Sequence, residues 1–188
     1  MELKQFIVTT IRQYLNENKQ SVKDGKILVE YSFPNTVIEE LIELTKIYIS
    51  KKGYPLSHIY QDKDNWRNGK DTNILKKEVG SPISTELIYS KSNIEIPKYV
   101  KWEIAEYGKD IINKITNLEV VKMPISKINI SQEFVFEKPL TKIFPSNHFV
   151  PIFKFDNNYY LNDGNHYVAS MFLSGQKYIN TKIIEVTS

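Results

Sequence analysis

The order of apolar and polar positions divides the chain into a first part with helical periodicity and a second part with short apolar runs. Apolar residues recur every three or four positions over residues 2–18, 36–52 and 97–115, which predicts amphipathic helices there. From Glu119 onward, the apolar runs predict strands near residues 120–128, 149–155, 158–162 and 180–186. The two patterns together predict an α+β fold, with a helix-rich N-terminal part and a small C-terminal mixed sheet.

Local start and stop signals predict the bounds of the shorter elements. Thr36 and Glu39 have the spacing of a capping box, and Gly53 followed by Pro55 predicts where that helix ends. Further strands are predicted over residues 26–31, 56–60 and 83–89, and further helices over residues 72–79, 137–144 and 165–174. Asp156 begins a polar triplet that predicts a hairpin turn.

Composition and charge exclude several classes of function. The chain has 188 residues and no cysteine, which excludes disulfides, thiolate metal sites and cysteine nucleophiles. No apolar run approaches membrane-spanning length and no secretory pattern is present, so we expect a cytoplasmic protein with no membrane partner. The net charge of +3 is diffuse, and residues 119–188 hold seven Lys against six Asp or Glu. Such a balance does not favour a dedicated nucleic-acid binder.

The candidate functional site is the stretch Asp163-Gly164-Asn165-His166, where an aromatic strand ends and a helix begins at once. Gly164 gives the backbone the freedom that a sharp turn needs, and Asp163 or Asn165 can cap the new helix. The amides at a helix start, with the helix dipole behind them, form a ready anion site. The alternative is a structural turn capped by Asp163, in which His166 is satisfied by the backbone.

The second part of the chain resembles the ParB/sulfiredoxin-like superfamily in the order of its segments. The matching segments are residues 123–128, 149–155, 163–166, 168–169, 175–176 and 180–185. One departure is that Tyr167 stands where the superfamily has an Arg that commonly contacts phosphate. With Asn117 as the boundary, the sequence predicts an N-terminal domain of residues 1–117 without an assigned role. Residues 118–188 are then the domain similar to this superfamily.

The resemblance implies a protein that handles phosphate, with ATP or another nucleotide and Mg²⁺ as cofactors. The residues placed against the phosphate are Gly164, Asn165, His166 and Tyr167, and those with catalytic roles are Asp163, Glu133 and His166. Asp163 would be a base or a metal ligand and Glu133 a second carboxylate, since two carboxylates near a phosphate can hold Mg²⁺ and deprotonate an attacking hydroxyl. The alternative for Glu133 and Glu137 is a solvated pair that flanks the apolar run between them.

Two classes of function follow from the resemblance and its departure. The first is phosphoryl transfer to a small hydroxyl substrate, or phosphodiester cleavage, on a nucleotide or a phosphorylated small molecule, with nucleic acid as a further candidate partner. The second is a catalytically inactive ParB-like module that associates with DNA or binds a protein, including a phage- or toxin-related inhibitor. The loss of the Arg at Tyr167 favours the second class.

A few residues outside the motif are weaker candidates. Trp66 and Arg67 stand in a polar run, which is typical of a binding hot spot for a protein partner on the N-terminal part. The alternative for Trp66 is packing against the helical core. His58 and His148 have no recognised metal-ligand spacing, so we expect structural or surface roles. His148 is the better site candidate of the two, because a loop before a strand can border a pocket.

Overall fold

The structure is a computed structural model, and it describes residues 19–23, 26–30, 33–55, 59–60, 72–90, 115–130 and 132–186. Its strands in these ranges are β1 (Lys19–Lys23), β2 (Lys26–Glu30), β3 (Pro82–Ser84), β4 (Val121–Pro124), β5 (Ile128–Ile130), β6 (Phe134–Phe136), β7 (Phe144–Pro145), β8 (Val150–Phe155), β9 (Asn158–Leu161) and β10 (Tyr178–Glu185). Its helices are α1 (Asn35–Lys52), α2 (Thr72–Val79), α3 (Thr85–Tyr89), α4 (Glu137–Leu140) and α5 (Asn165–Leu173). The predicted α+β class is confirmed.

The largest sheet has five strands in the order β4-β10-β8-β9-β5. β10 pairs antiparallel with β4 and parallel with β8, while β9 pairs antiparallel with β8 and parallel with β5. Only the 3₁₀ turn Ile125–Lys127 joins the two edge strands β4 and β5. In a flat sheet, four strand spacings would separate these strands by about 19 Å, whereas four residue steps span at most about 14 Å. The sheet is therefore curled, and its two edges approach each other.

Helix α5 shares its apolar core with this curled sheet. Val168, Ala169 and Leu173 of α5 are 1% exposed or less, and they belong to one cluster with Ile152 of β8 and Leu161 of β9. The members of this cluster from the first part of the chain are Val37, Ile38, Leu41, Ile83, Ile88 and Tyr89. Burying one such aliphatic side chain contributes about 1.5–3 kcal/mol, so the shared core stabilises α1, α3 and α5 against the sheet.

Strands from the first part of the chain pair with strands from the second. β2 pairs antiparallel with β7 and completes a sheet of order β1-β2-β7, and β3 pairs antiparallel with β6. Thr85 extends the second pairing, because its backbone N–H donates to Glu133 O and its hydroxyl donates to Gln132 O. The segments on either side of Asn117 thus share two sheets, and a division into two domains at that residue stays a prediction.

Several elements follow the sequence signals closely. α2 has the predicted bounds, and α1 ends before Gly53, whose φ of 67° is left-handed as a helix-ending glycine requires. Asp156 and Asn157, with φ of 46° and 63°, form the predicted hairpin turn between β8 and β9. The predicted helix over residues 2–18 and nearly all of the one over residues 97–115 lie outside the described residues.

The predicted strand over residues 83–89 is wrong, because hydrogen bonds to distant residues turn the chain after its second residue. Ser84 N donates to Thr45 Oγ1 at 3.0 Å, and Thr85 Oγ1 donates to Gln132 O at 2.6 Å. The strand β3 therefore ends at Ser84, and the short helix α3 begins at the next residue.

Other local predictions are also corrected. α1 begins directly after Pro34 and no side chain caps it, so Thr36 and Glu39 lie inside the helix and form no capping box. The described end of the predicted strand 56–60 is helical. The predicted helical piece over residues 137–144 is only the single turn α4, and the short strand β7 follows it.

Candidate phosphate site at the start of helix α5

The turn before α5 is built on Gly164. Its φ is 85°, and a Cβ placed on it would lie 2.4 Å from Val150 Cγ1, so both the backbone conformation and the neighbouring strand β8 require glycine. The first hydrogen bond of the helix runs from Val168 N to Gly164 O at 3.0 Å. The amides of the intervening residues lie ahead of that bond, at the positive end of the helix dipole.

The cap of α5 differs from the predicted one. The N-cap residue is Gly164 itself, and no side chain caps the helix start, so the expected cap by Asp163 or Asn165 is wrong. Asp163 is exposed, and its Oδ1 accepts a hydrogen bond from the adjacent Gly164 N at 2.6 Å. The helix start therefore keeps its full dipole, with an exposed carboxylate next to it.

Asn165 occupies the first position of α5 and is only 5% exposed. Its side-chain Oδ1 is buried and has no hydrogen-bond partner. Leaving a buried acceptor unsatisfied costs about 1–3 kcal/mol, so such a group in a native fold calls for a reason. Asn165 is thus a buried residue of the first turn with an unsatisfied acceptor.

His166 is tied to the backbone of β6. Its Nε2 accepts a hydrogen bond from Phe136 N at 3.0 Å, and its ring stacks on the Phe136 ring with centroids 6.2 Å apart. Because Nε2 is the acceptor, the neutral imidazole carries its hydrogen on Nδ1. This is the arrangement of the structural alternative, in which the backbone satisfies His166.

Tyr167 points into the protein. It is 3% exposed, and its ring centroid lies 4.9 Å from that of Phe144 and 4.4 Å from that of His148, both in edge-on geometry. The side chain at the position of the superfamily's Arg is thus part of an aromatic cluster made of Phe144, His148 and Tyr167.

His148 lies at the edge of this aromatic cluster, in the loop between β7 and β8. It is partly exposed, and its backbone N–H donates to Pro145 O at 2.9 Å. Burial lowers the pKa of His148 below its usual value, and the carboxylate of Asp163 opposes that shift. The ring contact with Tyr167 places His148 beside the first turn of α5.

Glu133 belongs to a different place in the fold. The Tyr48 hydroxyl lies 2.9 Å from Glu133 Oε1 and 2.7 Å from Glu86 Oε2, and Tyr54 also bonds to Glu133. One hydroxyl hydrogen therefore serves two carboxylates. Burial and then the bonds to Glu86 and Glu133 raise the pKa of Tyr48. Across the ranges that the structure covers, no hydrogen bond joins Glu133 to Asp163.

Glu137 also has a specific contact. Its Oε2 accepts a hydrogen bond from Ser81 N at 3.0 Å, and its backbone N–H donates to Ser81 O at the same distance. Through these two bonds, Glu137 links the start of α4 to the loop that follows α2. His58, Trp66 and Arg67 lie outside the described residues.

Asp163 is the exposed carboxylate at the start of α5. In the part of the chain that the structure covers, no three His, Asp or Glu side chains group to hold a metal ion. A Mg²⁺ ion that keeps several waters and binds phosphate oxygens needs one carboxylate from the protein, which Asp163 would supply. Over the same residues, the structure has no helix with the length and apolar character needed to cross a membrane.

In comparisons with known proteins, no family model, no curated protein and no solved structure matches the chain. The similarity to the ParB/sulfiredoxin-like superfamily stays a prediction that depends on the motif and on the order of the segments.

Proposed function

We propose that the start of α5 binds a phosphate group of a nucleotide or of a phosphorylated small molecule. The protein then catalyses phosphoryl transfer or phosphodiester cleavage there. A cytoplasmic location is part of the same proposal, because nucleotides such as ATP are ligands of the cell interior.

One observation carries this proposal: α5 starts without a side-chain cap. Its N-cap is Gly164, and its first internal hydrogen bond comes only from Val168. An uncapped helix start offers amide donors and a positive dipole to an anion. The neighbouring Asp163 is exposed, so it can reach a bound phosphate or a metal ion that accompanies one.

The residues of the turn have separate roles in this proposal. The amides of the first turn bind the phosphate oxygens, and Gly164 allows the turn to lie against Val150. Asp163 accepts the proton of the attacking hydroxyl or water. Asp163 is the residue that would hold a Mg²⁺ ion, which would neutralise phosphate charge. His166 holds the turn against β6 through its hydrogen bond with Phe136. Glu133 has no role at this site, because it contacts Tyr48 and Tyr54 instead.

Calorimetry with ATP, CTP and ADP, each with Mg²⁺, tests the proposal. In titrations without Mg²⁺, Asp163→Asn should bind nucleotide as well as the wild type or more tightly, since it removes a negative charge, and with Mg²⁺ it should lose all turnover. Asp156→Asn is a matched control, because Asp156 is exposed in a hairpin turn with a φ of 46° that Asn also adopts. Absence of binding at millimolar nucleotide would refute the proposal.

The presence of Tyr167 in place of an Arg favours a second function, that of a binding module without catalytic activity. This residue is 3% exposed inside the aromatic cluster, where the superfamily has a charged Arg. A pocket without that guanidinium has lost a charge-assisted contact worth about 1.5–3 kcal/mol. A protein that binds no nucleotide but shifts the mobility of DNA, or that captures a protein partner through residues 1–117, would support this function over the first.

A further inference from the structure

The loop that leads into β8 lies directly against the turn before α5. Val150 Cγ1 occupies the space that a side chain at Gly164 would need. Two residues earlier, the imidazole of His148 lies 4.4 Å from the Tyr167 ring, measured between centroids. Residues 148–150 therefore border the turn and first residues of α5, and they bring a partly exposed imidazole to the candidate site.

The other side chains of the motif offer little to a phosphate. His166 uses Nε2 to accept from Phe136, and Tyr167 is buried among aromatic rings. Asp163 is an anion that repels phosphate, and Asn165 has a buried oxygen that no protein group satisfies. A side-chain donor beside this turn would add to the hydrogen bonds that the backbone amides offer a phosphate.

We propose that His148 is a ligand-binding residue of this site and that its imidazole donates a hydrogen bond to the bound phosphate. It does the task for which the superfamily uses the Arg that Tyr167 replaces. This inference rests on the proposed function, because it assigns a donor to the same phosphate. The ring is held in place for this task by an edge-on contact with Tyr167 and a tilted contact with Phe144, whose centroids lie 4.4 and 5.2 Å from its own.

The proposal defines what a ligand must have. A neutral imidazole donates through one nitrogen only, so the site makes a single directed bond where Arg would make a two-pronged one. Affinity for the phosphate then depends on the backbone amides as well. Inorganic phosphate and the terminal phosphate of ATP are the appropriate probes.

Two substitutions separate a donor role from a packing role. His148→Phe keeps an aromatic ring against Tyr167 but has no N–H, whereas His148→Gln loses the ring and keeps a donor. We expect His148→Phe to weaken the binding of ATP with Mg²⁺ by about tenfold, and His148→Gln to bind within about threefold of the wild type. Thermal unfolding of both variants shows whether they are folded at the temperature of the titration.

A matched control comes from the same loop. Asn147 is exposed and precedes His148, so Asn147→Ala removes a neighbouring donor and should leave ATP binding unchanged. A spectrum selective for histidine side chains gives a second readout. Inorganic phosphate should shift the resonances of the His148 ring more than those of the His166 ring, whose Nε2 is already bonded.

The outcomes distinguish this inference from the proposed function. Wild-type protein that binds neither ATP nor phosphate refutes both. Wild-type protein that binds ATP while His148→Phe binds it equally well overturns the inference and leaves the proposed function intact. Equal weakening in His148→Phe and His148→Gln, or a similar loss in Asn147→Ala, assigns the effect to packing of the loop and also overturns the inference.

Discussion

The Nε2 atom of His166 accepts a hydrogen bond from the backbone N–H of Phe136 at 3.0 Å, so the first turn of α5 is fastened to β6. β6 in turn pairs with β3 from the first part of the chain. The position of the candidate site therefore depends on the pairing of β6 with β3, two strands that are far apart in the sequence. Substitutions of His166 or Phe136 should change both the stability of the fold and ligand binding.

Removing the imidazole of His166 should leave the Phe136 N–H without an acceptor. We expect His166→Ala to lower the free energy of unfolding by about 1–3 kcal/mol, measured by urea denaturation. His166→Gln should lose less, because its side-chain oxygen can accept the same hydrogen bond. An equal loss in both variants would show that the Phe136 bond contributes nothing to the difference.

Gly164→Ala should be strongly destabilising for two separate reasons. A left-handed φ of 85° costs a non-glycine residue about 1–2 kcal/mol, and the new Cβ would collide with Val150 Cγ1 at 2.4 Å. Gly53→Ala is the matched control, since Gly53 has a φ of 67° and open space around its Cβ position. We expect a loss of about 1–2 kcal/mol for Gly53→Ala and at least about 1 kcal/mol more for Gly164→Ala.

A double-mutant cycle separates the steric part of the Gly164→Ala effect from the backbone part. Val150→Ala removes the colliding Cγ1, so the combination of Gly164→Ala with Val150→Ala should lose less stability than the sum of the two single variants. The coupling should be about 1 kcal/mol in urea denaturation. If the stability losses of the two single variants simply add, Val150 Cγ1 does not collide with a side chain at position 164.

The Tyr48 hydroxyl lies between two carboxylates, so its removal should destabilise the fold. In Tyr48→Phe, the carboxylates of Glu86 and Glu133 lose their shared donor, and we expect a loss of about 1–3 kcal/mol in the free energy of unfolding. Adding Glu133→Gln should recover part of that loss, because it removes one of two like charges. A further loss in the double variant would contradict this explanation.

The same residue predicts a dependence of stability on alkaline pH. Burial and two neighbouring carboxylates raise the pKa of Tyr48, so folding favours its neutral form. The stability that this provides is complete below the pKa of an unfolded tyrosine, about 10, and it falls as the pH rises above that value. Tyr48→Phe should show a shallower fall above about pH 10, measured by urea denaturation at several pH values.

His148 predicts a dependence of stability on acidic pH. Burial lowers the pKa of His148, so the folded protein holds the proton less tightly than the unfolded chain does. The corresponding stability is present above the unfolded value of about 6.5 and is lost as the pH falls below it toward the folded value. His148→Gln should therefore reduce the loss of stability between about pH 7 and pH 5, and an unchanged profile would contradict the pKa shift.

Elements with a complete local signal could be predicted from the sequence. α2 is bounded by Thr72 and by the break at Gly80, and the turn before α5 is marked by Gly164, whose left-handed φ is observed. The strands β8, β9 and β10 were recognisable from their apolar runs. The single strand predicted over residues 120–128 is wrong, because the 3₁₀ turn Ile125–Lys127 divides that region into β4 and the start of β5.

Contacts between distant residues had no such signal. Glu133 meets Tyr48 across 85 positions of sequence, and nothing near either residue indicates the other. The same holds for His166 and Phe136, 30 positions apart, which made the histidine equally compatible with a ligand and with the backbone. His148 had only one indication, its position in a loop before a strand, and its neighbours Tyr167 and Phe144 became visible in the fold alone.

The order of the five-stranded sheet has a consequence for the synthesis of the protein. β10 lies between β4 and β8, although it is the last of the strands described along the chain. During synthesis, β4 and β8 therefore cannot pair with β10 until residue 185 has emerged from the ribosomal exit tunnel. Until that moment their unpaired edges are open to other nascent chains.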